Sequence, residues 1–321
     1  MRRIPSLILA VLCTISNVSA QVSLTRTCII EFADVSDGRV ALRKSDAFIN
    51  SLSRFDKQAR LKTKKDISTK QFLDFVSSHV REWKKDDRQK LRKVISEIRP
   101  KLARFDLPFP KTVQLVHTSG MEEGGAAYCR GNSIVLPTGV LRRKPKQLET
   151  LIIHELFHVM SSHNPALRQE LYAIVGFKPC GVVDLPESLA DRRITNPDAP
   201  SIEHAVTLSI EGKNQKAVPI LYASVANYVP EEGKSFFRYM QFRLMVVKKQ
   251  GKRFRPLLHD GKPVLLDPKN TPSYFDKIGH NTQYIIHAEE VLADNFVHLI
   301  SGTTDLSTPR IVDEMRRILR R

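Results

Sequence analysis

The 321 residues are 41% hydrophobic and 26% charged, which excludes global disorder and allows one large domain or two modest ones. The formal net charge is +17, with Lys and Arg clustered around 62–65, 81–85, 142–146, 248–255 and 316–321. Aromatic residues do not interleave with these clusters, so a single-strand nucleic-acid groove is not indicated. The pattern reads first as a soluble basic surface and second as attraction to an anionic envelope polymer or acidic substrate.

The chain opens with Arg2 and Arg3, an apolar run over 4–15 and the small-residue sequence Val18-Ser19-Ala20. This pattern predicts a cleaved signal peptide over 1–20, a mature start at Gln21 and an exported protein, periplasmic or secreted. The run is too short to span a bilayer, and no other stretch is apolar enough. Removing 1–20 takes away two arginines and no acid, so the charge falls from +17 to +15. Cys28, Cys129 and Cys180 remain, an odd number with no CxxC spacing. Cys129 and Cys180 flank the helix that carries the motif below, and they are the first candidates for a bridge.

Over 46–105, apolar residues recur at helical spacing. Phe72, Phe75, Val76 and Val80 share one face, and Leu91, Val94, Ile95 and Ile98 share another. We read two or three amphipathic helices, making 21–107 a mainly helical supporting segment. Pro108 and Pro110 end it. A strand follows over 111–116. A hairpin then joins 126–129 to 133–136 around Arg130-Gly131-Asn132. A helix spans about 145–162. From 202 to 267 the texture becomes partly β-rich, with alternation over 204–210 and a turn at Asp260-Gly261. A helical block covers 287–301, and a last helix starts at Pro309 with Thr308 as its cap. The sum is an α+β fold whose main domain, 108–321, carries a partly β-rich insertion at 202–267.

The segment His154-Glu155-Leu156-Phe157-His158 carries the chemistry. Positions four apart share a helical face, so His154 and His158 can present two imidazole nitrogens to one metal ion. Glu155 lies beside the first ligand and can reach a water on that ion. Its neighbours Ile152, Leu156, Phe157, Val159 and Met160 are uncharged, which suits a helix running through a core. A catalytic zinc needs three protein ligands and one open position. The extension HExxHxxGxxH fails here: Ser161 replaces its Gly, Asn164 its last His, and His163 falls one residue short, at the helix end. A later segment, His287 to Phe296, offers Glu290 as the third ligand. Asp294, one turn on, would accept a hydrogen bond from the far nitrogen of His154. Choosing Glu289 instead would leave Ala293 in that supporting place.

His154–Met160 and Glu290–Asp294 together resemble the gluzincin clan of zinc metallopeptidases, the thermolysin-like group with HExxH and a downstream Glu-x-x-x-Asp. The resemblance implies a zincin-like fold with a small mixed sheet and a helical C-terminal part. It also implies bound Zn2+, Glu155 as general base, and a peptide or protein substrate. An oxyanion donor is expected near the third ligand. Tyr284, His280 and His287 qualify, and Tyr284 is preferred because His287 suits a helix N-cap. An edge strand, 126–128 or 133–136, would pair with substrate backbone. The alternatives are a zinc amidase acting on an envelope polymer, and a non-catalytic envelope-binding protein with a structural metal. A structural site would have no use for Glu155.

Overall fold

The computed structural model of the chain describes residues 21–320. The expected signal peptide, 1–20, lies outside the described residues. In chain order the elements are β1 (Gln21–Ser23), β2 (Ile29–Phe32), α1 (Val35–Leu42), α2 (Ala47–Ser51), α3 (Arg54–Leu61), α4 (Thr69–Ser78), α5 (Lys85–Leu102), β3 (Thr112–Thr118), β4 (Tyr128–Arg130) and β5 (Ser133–Pro137). Then come α6 (Pro145–His163), α7 (Pro165–Ile174), β6 (Phe177–Pro179), α8 (Glu187–Ala190), β7 (His204–Ile210), β8 (Lys213–Ala223), β9 (Met240–Gln250) and β10 (Arg253–Pro256). Last are β11 (Leu258–His259), β12 (Lys262–Pro263), β13 (Leu265–Leu266), α9 (Pro272–Ile278), α10 (Ala288–Ser301) and α11 (Pro309–Ile318). The fold is α+β.

The first sheet has the order β1-β2-β3-β5-β4. Its outer pairs are antiparallel, while β2–β3 and β3–β5 are parallel. Parallel strands need cover on both faces, and these are apolar on both. Val113, Leu115, Ile134 and Leu136 join the main core with α5, α6 and α10, whereas Val116 and Val135 face Phe48, Phe72 and Val76 of α2 and α4. Gly131, with φ +59°, makes the tight turn between β4 and β5.

Helix α6 begins with Pro at its first position. Leu148, Ile152, Ile153, Leu156, Phe157, Val159 and Met160 are buried around its whole circumference, so it is a core helix rather than a surface one. Across it lies α10, with Phe296 against Phe157 at 5.6 Å between ring centroids.

The second sheet runs β10-β9-β8-β7-β6, with β13 also on β9, and the 202–267 stretch supplies most of it. This stretch is not a detached lobe. Val206, Leu208, Ala217 and Leu244 belong to the main core, while Ala205, Val218, Ile220 and Met245 build a smaller cluster on the opposite face. Asp260 and Gly261, with φ of +49° and +73°, close the β11–β12 ribbon at the expected turn.

The 21–107 segment packs into the same core as the rest of the chain: β2 pairs in parallel with β3, and Leu24 and Ile30 lie in the same cluster as Ile152. Two expectations need correction. Thr308 precedes α11, but its hydroxyl accepts from the His280 N–H at 3.0 Å instead of capping the helix. The Cys129–Cys180 bridge does not form. Cys129 is buried with its thiol against Glu155, and Cys180 sits just beyond β6. A buried cysteine serves well as a small apolar side chain. Among the described residues no helix is long and apolar enough to cross a membrane.

Candidate metal centre

The facing surfaces of α6 and the first turns of α10 build the centre. His154 and His158 lie one turn apart on α6, with ring centroids 4.7 Å apart. Opposite them, α10 opens with His287 as its N-cap, the imidazole Nδ1 accepting from the Glu289 N–H at 3.0 Å. Glu289 and Glu290 therefore occupy the first helical turn, where the helix dipole favours anions.

Each histidine is held from behind by its own carboxylate. His154 Nδ1 lies 2.9 Å from Asp294 Oδ1, and His158 Nδ1 lies 3.1 Å from Glu289 Oε1. Donation from both Nδ1 atoms fixes the tautomers and leaves both Nε2 atoms facing Glu290 Oε2, at 3.2 Å and 3.5 Å. His158 Nε2 is buried without a hydrogen-bond partner. A nitrogen lone pair aimed at a carboxylate oxygen is repulsive unless a cation, proton or metal, lies between them. One ligand atom from each of His154, His158 and Glu290 falls within 4.8 Å of the others. The set fits a metal ion: two nitrogens, one carboxylate oxygen and supported imidazoles.

The local electrostatics point the same way. Burial alone would lower the His154 imidazole, but the hydrogen bonds to Asp294 and Glu290 outweigh it and push the group up to about 9. Burial likewise opposes the charge on His158, yet the carboxylates of Asp198 and Glu290 raise it well above its ordinary value. Burial would raise the Glu290 carboxyl; the two imidazoles overcome it and hold Glu290 below the usual carboxylate range. The pocket stabilises positive charge at the point where the three ligand atoms meet.

Glu155 is 3% exposed and accepts from the Cys129 thiol at 3.2 Å. Burial, with Glu155 and Asp198 nearby, pushes that thiol up, so Cys129 stays a donor. Tyr284 stacks on His154, with centroids 6.1 Å apart and planes at 20°. Tyr284 keeps 43% of its surface exposed, yet desolvation of the phenol at the centre and the nearby Glu290 and Asp198 carboxylates raise the group, which keeps its proton. His280 lies elsewhere, exposed and stacked on Phe275. His163 is exposed at the end of α6.

Three contributors escape the motif. Glu289, set aside as a ligand, is the anchor of His158, and its second oxygen accepts from Ser161 Oγ at 2.9 Å and the Tyr172 hydroxyl at 2.6 Å. Asn196 donates to Glu290 Oε1 at 2.5 Å. Asp198 accepts from the Cys129 N–H at 2.7 Å, and burial together with Glu155 and Glu290 pushes its carboxyl well up against the pull of His158. Glu289 carried one sequence signal, a second acid in the first turn of α10. Asn196 and Asp198 sit in an irregular segment with none.

That segment is fastened from below. Arg60 of α3, fully buried, pairs with Asp56 at 2.6 Å and Glu123 at 2.5 Å, and donates to the Thr195 carbonyl at 3.1 Å. Asp56 in turn accepts from the Thr195 N–H and hydroxyl. Of the two strands expected to pair with a peptide, 133–136 needs correction: β5 is interior, between β3 and β4. β4 is the edge of the sheet, and at Cys129 its N–H is taken by Asp198.

Comparison of the chain with protein-family models, with curated proteins and with solved structures finds no match.

Proposed function

We propose that this protein is a zinc-dependent peptidase of gluzincin type, zincin-like in fold and exported. The observation that carries the reading is the convergence of both Nε2 atoms on Glu290, each imidazole backed by a separate carboxylate, with Glu155 buried beside them. His154, His158 and Glu290 would hold the ion. Zinc, when bound, supplies Lewis acidity that acidifies a water and polarises a carbonyl.

The remaining chemistry belongs to the chain. Glu155 takes the proton of the attacking water and returns it to the leaving amine. The Cys129 thiol donates to the Glu155 Oε2 and holds that carboxylate in place. Asp294 and Glu289 keep both imidazoles in the ligating tautomer, and the Thr282 hydroxyl steadies Asp294 in turn. Tyr284, protonated and stacked on His154, donates to the developing oxyanion.

The test is Glu155→Gln. This variant keeps the side chain's size, so it should retain about one zinc per chain while peptide hydrolysis falls by roughly 10²- to 10⁴-fold. Metal content comes from elemental analysis and turnover from a peptide assay. Full activity in Glu155→Gln sinks the mechanism, and a metal-free wild type sinks the site.

A further inference from the structure

A cavity of about 250 Å³ opens beside the metal centre, with His158 in one wall and Arg130, Arg168, Tyr172, Asp198 and His204 among the others. Three buried nitrogens of this lining have no hydrogen-bond partner: Arg130 Nη1, Arg168 Nε and His204 Nε2. The two guanidinium nitrogens are obligate donors, and buried donors are rarely left unmet, so they mark a place for acceptor atoms.

The acceptors nearby are committed. Asp46 pairs with Arg130 Nε, and the Lys44 carbonyl takes Arg130 Nη2. Asp198 holds the Cys129 N–H. Glu289 is shared by His158, Ser161 and Tyr172. Glu203 is exposed. Burial lowers His204 and His287 to about 4, so both are neutral near pH 7 and add no charge of their own. The cavity is graded: an acid, Asp198, shares the end near Glu155, and a guanidinium, Arg168, lines it beside Tyr172 and His204.

We propose that this cavity is a substrate subsite that takes a carboxylate, with Arg168 as its counter-charge and Arg130 as a further donor. The inference rests on the peptidase reading, which places the scissile bond at His158. Guanidinium groups pair with carboxylates through two parallel hydrogen bonds, the strongest recognition such a side chain offers. The volume is below that of a drug-sized pocket and suits about one residue. The carboxylate belongs to that residue, either as an Asp or Glu side chain or as the terminal α-carboxylate. The Arg168 charge recognises both.

The test uses the zinc-loaded full chain. A peptide library read by mass spectrometry first gives a cleaved bond. Four peptides are then built around it, with Glu or Gln next to the bond and a free or amidated C-terminus. A carboxylate-bearing peptide should exceed its neutral counterpart about 10- to 100-fold in kcat/KM. The Glu/Gln pair and the acid/amide pair show which carboxylate is read. In Arg168→Gln the ratio should collapse towards one, and in Arg168→Lys part of it should return. Zinc content and the unfolding midpoint establish that each variant is folded. Equal rates for charged and neutral peptides overturn the subsite and leave the peptidase reading intact. If no peptide is cleaved, that reading fails instead. Calorimetric binding of short peptides with Glu or Gln and a free or amidated C-terminus to Glu155→Gln then decides the subsite: tighter, Arg168-dependent binding of the charged ones supports it, and equal or absent binding overturns it.

Discussion

Glu289 offers the sharpest test of how the centre is built, because its neighbour Glu290 has a different task. Three donors meet its buried carboxylate: His158 Nδ1 at 3.1 Å, Ser161 Oγ at 2.9 Å and the Tyr172 hydroxyl at 2.6 Å. Glu289→Ala strands all three at a position 1% exposed. An unsatisfied buried donor costs about 1–3 kcal/mol, and the two hydroxyls can partly turn away, so we expect a loss of about 3–5 kcal/mol. That corresponds to a fall in unfolding midpoint on the order of 10 °C. Metal affinity should fall as well, by roughly 10- to 100-fold, because nothing then fixes the His158 tautomer. Glu289→Gln separates the two effects. Its carbonyl can still accept from His158, and its amide can donate to the two hydroxyls, so most of the stability survives while the loss of negative charge still weakens metal binding. Scanning calorimetry and chelator competition measure both quantities. Zinc affinity within threefold of wild type in both variants would refute the idea that Glu289 supports His158.

Other outcomes follow from the same geometry. Zinc at a hundred times its dissociation constant should stabilise the wild-type chain by about 2.7 kcal/mol, and His154→Ala should abolish the shift in thermal unfolding. A midpoint indifferent to zinc and chelator contradicts the site. Burial pushes the Glu122 carboxyl up to about 7. A raised folded value means that its contribution is complete below its ordinary value near 4.5 and is lost as pH rises through 7. Wild type should therefore lose stability relative to Glu122→Gln between pH 5 and 8, by on the order of 3 kcal/mol, measured by denaturant titration. Unchanged relative stability would show that the carboxyl is solvated. Among the described cysteines, Cys180 should alkylate first under native conditions, since it is only half-buried, while burial raises the Cys28 thiol to about 11 and holds the Cys129 thiol well above its ordinary value. Mass spectrometry showing Cys129 modified at the same rate would mean that its contact with Glu155 opens freely.

The centre was legible in the sequence where it follows helical spacing. His154 and His158 on one helix, and Glu290 and Asp294 on another, are each four residues apart, and the structure sets the two pairs face to face. The role of Glu289 was hidden. It is a quarter-turn from Glu290, and its task depends on where α7 places Tyr172, which no local pattern records. Asn196 and Asp198 were invisible because they arrive on an irregular segment whose position is set by Thr195 and the Arg60 cluster. The first sheet was only half legible. The hairpin of β4 and β5 has a Gly turn, but β1 and β2 are strands of only three and four residues, and β2 finds its parallel partner, β3, far along the chain at Thr112–Thr118. Parallel pairing leaves no mark on neighbouring residues. The misplaced bridge came from counting cysteines by their flanks, when packing decides their use.

The Arg60 cluster also bears on how the molecule comes to exist. Arg60 reaches Glu123 across 63 residues and Thr195 across 135, while Asn196 reaches Glu290 across 94 and His154 reaches Asp294 across 140. Contacts of such separation close large loops, and they form after local helices do. A growing or refolding chain can therefore display the two histidines on α6 long before it owns a ligand set. The third ligand, the anchors behind the imidazoles and the overlying segment all arrive with the last long-range docking. With the metal site as proposed, metal capture at full affinity and completion of the fold would be one event, reached only when α3, the 121–123 turn, the 195–198 segment and α10 have met.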